Sequence, residues 1–165
     1  MSNEGDEGPL LEAWLTNHRI NMRILEGLDV EALACTLSTR GGRDVARQFA
    51  HIHDVRRYQL ENRRARDLAE PLRKFASKGG PKVSPTGEEL VSAHEASTEA
   101  VGTFLLQAHR GKENRRPFRK GLFTTLSYFI AHESHHRGSI LLTLKQCGHG
   151  LDRATASGIW DWDRM

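Results

Sequence analysis

The chain has 165 residues, 38% of them hydrophobic and 27% charged, with a formal net charge of +3. That length suits one domain, over residues 1–165, around a single core, and the balance is that of a soluble globular chain. A bilayer span needs about 20 consecutive apolar residues, and the longest uncharged run, residues 121–131, falls far short. Cys35 and Cys147 are the only cysteines and form no CxxC pair. A disulfide scaffold is therefore excluded, and both read as small buried hydrophobes. Residues 1–8 are acidic, polar and expected to be flexible. They do not resemble a signal peptide, so a cytoplasmic location is expected.

In chain order, the first helical pattern covers residues 9–28. Its apolar stripe is Leu10, Leu11, Trp14, Leu15, Ile20, Met22 and Ile24-Leu25. A loop with Gly41-Gly42 follows. The second pattern covers residues 43–66, with Val45, Phe49, Ile52 and Leu60 at helical spacing. A long connection over residues 67–84 contains the breaker Lys78-Gly79-Gly80-Pro81 and predicts a short extra helix at 71–77. Thr86 and Glu89 have the spacing of a capping box, so the third helix starts there and runs to about His109, before Gly111. The fourth covers residues 118–146, with Leu122, Leu126, Phe129, Ile140 and Leu144 on one face, and stops at Cys147-Gly148. An irregular tail, residues 151–165, carries Trp160 and Trp162, which pack back onto the body or onto a partner. Strand patterns are almost absent. The expected fold is all-α, a four-helix bundle.

Basic residues cluster at Arg56-Arg57, at Arg63-Arg64 with Arg66, and from Arg115 to Lys120. Acidic residues are interspersed and no nucleic-acid motif accompanies them, so they read as solvated helix faces. Nucleic acid is an unfavoured partner, and a membrane partner is not expected.

The nine histidines are the unusual feature. His132 and His136 stand four apart, on one helix face about 5–6 Å from each other. At about 100° per residue from Leu122, His136 lies within about 40° of the apolar centre and His132 about 80° from it, while His135 points about 140° away. Two inward imidazoles at this spacing suit a divalent metal ion. His132-Glu133-Ser134-His135-His136 also spells H-E-x-x-H, the zinc-protease pattern. No later Glu follows, Leu142 stands where the extended form needs a third His, and the strands that would hold a peptide are missing, so a protease is rejected.

On the second helix, His51 and His53 point nearly opposite ways, so one of them at most serves the same ion. Measured from Val45, His53 lies near +80° and His51 near −120°, so periodicity prefers His53. Arg56 and Glu133 each fall about 20° from the centre of their apolar faces. A buried Arg requires an anion, so these two are expected to pair across the core beside the metal.

The segments Phe49-Ala50-His51-Ile52-His53-Asp54-Val55-Arg56-Arg57-Tyr58-Gln59-Leu60 and His132-Glu133-Ser134-His135-His136-Arg137-Gly138-Ser139-Ile140 resemble the DinB/YfiT-like superfamily. The likeness runs from Leu11 to Trp162. It implies a metal-binding four-helix bundle with His51, His132 and His136 as ligands, against the periodicity that favours His53. It implies nickel, zinc or manganese with open coordination positions and, in many members, a homodimer. Some relatives are transferases or isomerases that use low-molecular-weight thiols. The family often carries an acidic residue where Arg56 stands, so this chain departs there. A metal-dependent hydrolase or thiol transferase is the expected function, with Glu133 as candidate general base. A non-catalytic metal-binding dimer is the alternative.

Overall fold

The computed structural model describes residues 7–76, 83–112 and 114–165. Most of the segment expected to be flexible lies outside these residues, and Glu7 and Gly8 already belong to the first helix. The described residues are all-helical, without strands. Helix α1 spans Glu7–Leu25, α2 Val30–Ala34, α3 Val45–Asn62, α4 Arg66–Ala69, α5 Gly87–His109, α6 Leu122–Gln146 and α7 Arg153–Gly158. The four long helices are α1, α3, α5 and α6, and each of α1 and α3 packs on both α5 and α6.

Local chemistry sets the ends. Asp44 caps α3, its carboxylate accepting from the Arg47 N–H. The chain turns out of α3 through Arg64, at φ 56°. The predicted capping box on α5 is present, with Thr86 and Glu89 each accepting the other's backbone N–H. Helix α6 starts at Leu122, four residues later than the pattern suggested. Gly121 before it takes φ 100°, a left-handed value that glycine tolerates best.

Two expected features are corrected. The extra helix proposed at 71–77 is instead α4, at Arg66–Ala69, and residues 71–76 form a loop; Ser77 lies outside the described residues. That loop is tied to α3 by the Asp54 carboxylate, which accepts the backbone N–H of Phe75 (3.0 Å) and of Ala76 (2.8 Å). The tail is not irregular throughout: Asp152 caps α7, and a 3-10 turn spans Trp162–Arg164. Gly158 lies so close to the Arg23 side chain that a Cβ there would collide with the guanidinium, and Ile159 is buried in the core.

The apolar core comes in two parts. One holds Ile24, Phe49, Ile52, Leu90, Ile140 and Leu144. The other holds Trp14, Leu60, Val101, Phe104, Leu126 and Phe129. Along each long helix the two sets are separated by buried polar residues: Asn17 on α1, Arg56 on α3, His94, Ser97 and Thr98 on α5, and Glu133 on α6. A polar layer thus crosses the middle of the protein, and its groups bond to partners there, save His94 Nδ1, which has none among the described residues.

Candidate metal centre

The layer is built around one ion pair. Arg56 grips Glu133 with two parallel bonds, Nε to Oε1 at 2.7 Å and Nη2 to Oε2 at 2.8 Å. Both side chains are 1% exposed, so the expected pairing of Arg56 with Glu133 is present and fully desolvated. Nη1 of Arg56 donates to Ser97 Oγ, Thr98 Oγ1 and the His94 carbonyl. Asn17 and Asn21 each donate to Glu133 Oε2 at 2.7 Å, so four N–H groups converge on one carboxylate. Burial pushes the Glu133 carboxyl up, but Arg56 and these donors outweigh it and hold the carboxyl below its usual range. Glu133 is therefore an ionised anchor whose lone pairs are directed at α1 and α3.

That anchor fixes the rotation of α6 about its axis and brings His132 and His136 to the edge facing α3. Across that edge stands His51. One ligand nitrogen from each of the three lies within 4.8 Å of the others. Ring centroids are 4.7 Å apart for His51 and His136, 4.6 Å for His132 and His136, and 5.5 Å for His51 and His132. All three are half-buried. Among the described residues, none of these rings hydrogen-bonds to the protein. They are held by ring contacts instead: Tyr128 stacks on His132 at 5.9 Å, and His135 meets the edge of His136 at 5.2 Å. Three nitrogens about 2.0–2.1 Å from a tetrahedral ion stand roughly 3.3 Å apart, so small side-chain rotations close this cluster onto a metal. Its chemistry fits. Burial is the first cause that lowers the His51 and His136 pKa to about 4, and cations and neighbouring imidazoles push the same way. Neutral imidazole is the form that binds metal.

His53, which periodicity preferred, is not in the cluster. It is fully buried, with Nδ1 2.9 Å from the Ala93 carbonyl and Nε2 2.7 Å from the Arg73 carbonyl. Each ring nitrogen faces a backbone carbonyl and one of them donates, so it is a core histidine with neither nitrogen turned to the cluster. Periodicity finds the centre of a buried stripe, and on α3 that centre faces α5. The metal-competent position is at the edge, where α3 meets α6. His135 is exposed, as its angle predicted.

Comparison with known families matches the DinB family over residues 1–158. The chain belongs to the DinB family. No curated protein and no solved structure matches the chain. The cluster brings together the two histidines of the H-x-x-x-H-R-G segment on α6 and His51 of α3. Sequence reasoning missed Asn17, Asn21, Ser97 and Thr98, because short polar residues within an amphipathic helix carry no signal of their partners. It also read the basic clusters as solvated, whereas Arg115 is 6% exposed and paired with Asp67, and Arg63 lies 3.6 Å over the Phe118 ring. No helix among the described residues is long and apolar enough to cross a membrane.

Proposed function

We propose that this DinB-family chain binds one divalent metal ion (nickel, zinc or manganese) through His51, His132 and His136 and works as a metal-dependent enzyme, a hydrolase or a low-molecular-weight-thiol transferase. One observation carries the reading: three imidazoles from two helices face one another, with no hydrogen bond to any of the described residues. Three neutral ligands leave the charge of a divalent ion uncompensated, which supplies acidification of a coordinated water or thiol near neutral pH. The protein's part is orientation. Tyr128 holds the His132 ring, and the Arg56–Glu133 pair holds the helix face that presents both α6 ligands. Glu133, the expected general base, is better assigned as a positioning residue, since Arg56, Asn17 and Asn21 occupy its oxygens. With the Glu133 oxygens occupied, the half-buried cluster would leave solvent as the proton acceptor. A homodimer in the cytoplasm completes the reading, and sedimentation tests the pairing.

Elemental analysis of untagged protein tests the core of the proposal. One ion per chain is expected in the wild type and in His53→Ala, and none in His51→Ala or His136→Ala. Metal retained by His51→Ala and lost from His53→Ala would reverse the assignment. The loaded protein is then assayed with an aryl ester, and with a low-molecular-weight thiol plus an aryl halide acceptor. Stoichiometric metal without turnover on either would leave a non-catalytic metal-binding protein.

A further inference from the structure

A cavity lies on the side of α6 away from the histidine cluster, between α1, α6 and the C-terminal segment. Its volume is about 680 Å³, within the range of small-molecule sites. Ile20 and Ile24 from α1, Ile130 and Leu141 from α6, and Trp160 and Trp162 from the tail supply apolar walls. None of the three clustered histidines lines it. The polar lining includes Asn17, Ser134 and Arg137.

Arg137 sets the chemistry. It is 8% exposed, and its Nη1 donates to Asn17 Oδ1 (2.7 Å) and Asn21 Oδ1 (2.9 Å), while Nη2 donates to Ser134 Oγ (2.7 Å). All three acceptors are neutral. A guanidinium has five N–H donors, so two remain beyond these bonds. Among the described residues, Arg137 makes no ion pair. The nearby buried carboxylate, Glu133, is already chelated by Arg56. The polar layer therefore contains two guanidiniums and one carboxylate, and the excess positive charge belongs to the side chain that lines the cavity. A buried cation without a full counter-charge is costly, and an anion reaching it would relieve that cost. Among the described lining residues the one acidic side chain, Glu12, is exposed and already paired with Arg19. Beside Arg137, a Cβ built on Gly138 meets nothing within 4 Å, so the lining is open there.

We propose that this cavity binds a small organic acid with an apolar body, its acid group on Arg137 and its body between the isoleucines and the two tail tryptophans. The inference stands apart from the metal centre.

The test is calorimetric titration of the full chain with 1-naphthaleneacetate and, separately, with 1-naphthaleneacetamide, which keeps the shape and lacks the charge. The acid is expected to bind about tenfold or more tightly than the amide, the ratio of a charge-assisted bond to a neutral one. Gly138→Phe, which fills the open lining, should weaken both by about tenfold or more while metal content stays unchanged. Arg137→Gln should bring the acid-to-amide ratio toward one. Should that variant fail to fold, the wild-type ratio and Gly138→Phe still decide. Equal affinities for acid and amide, indifference to Gly138→Phe, or no binding of either probe would overturn the proposal. So would a dimer that blocks the probes and dissociates on Gly138→Phe, since a second copy would then be the occupant.

Discussion

Arg56 shows how much one side chain decides in this protein. It is among the largest fully buried side chains, and it touches Glu133, Ser97, Thr98 and the Trp14 ring, with its guanidinium carbon 4.8 Å from that ring's centroid. Removing one partner of a buried pair leaves the other unpaired. Arg56→Leu should therefore lose about 3–5 kcal/mol of unfolding free energy, and urea denaturation reads it. The double variant Arg56→Leu/Glu133→Leu should recover much of that loss, because no buried charge is then stranded. An Arg56→Leu protein as stable as wild type, with unchanged metal affinity, would show that the pair anchors nothing. Glu133→Gln is the companion probe. It keeps the shape and removes the charge, so it should lower stability and leave the three clustered histidines in place. A general base would instead be seen in a changed pH–rate profile at full metal loading.

At the scale of the elements, the caps and the half-buried edges carry the predictions. Thr86→Ala removes one half of the capping box on α5 and should cost about 1 kcal/mol in urea denaturation, without change in metal content. A loss within error would mean that α5 is held by its packing alone. Helix α3 was legible in its apolar stripe, yet that stripe pointed to His53, which lies outside the three-histidine cluster. Val45, Phe49 and Ile52 mark the direction of greatest burial, and His53 shares it. His51, which meets His132 and His136, stands at the rim of that stripe and is half-buried. The resemblance carried by the segment over residues 49–60 pointed to His51 where periodicity pointed to His53. The loop after α4 was missed for a different reason. It is organised by Asp54, 21 and 22 residues away in sequence, and no local pattern encodes that bond.

Across the whole molecule, histidine makes stability depend on pH. His18, His51 and His136 are lowered from 6.5 to about 4, with burial the first cause in each, and His53, His94 and His132 are lowered too. The folded state therefore resists protonation at pH values where the unfolded chain accepts protons near 6.5. Unfolded chains bind more protons across that window, so stability rises with pH between about 4 and 6.5 and falls on acidification through it. Glu133 acts in the same sense at lower pH, since its folded pKa is depressed below 4.5. The melting temperature of metal-free protein should fall from pH 7.5 to pH 5. Bound metal should raise it at pH 7.5 and lose that effect as the ligands protonate. A melting temperature flat across pH 5–7.5 would contradict the burial of these rings.

The sequence by itself determined the helical class, the capping box on α5, the shared face of His132 and His136, and the mutual need of Arg56 and Glu133. Each follows from spacing along one helix or from the cost of burying a single group, quantities that are local to the chain. Only the tertiary structure decided which second-helix histidine joins the cluster, which asparagines complete the Glu133 cradle, and that Arg137 lines a cavity as the unmatched cation. Those depend on which helix edges meet, and that is set by the packing of four helices together, with no one helix carrying the information alone.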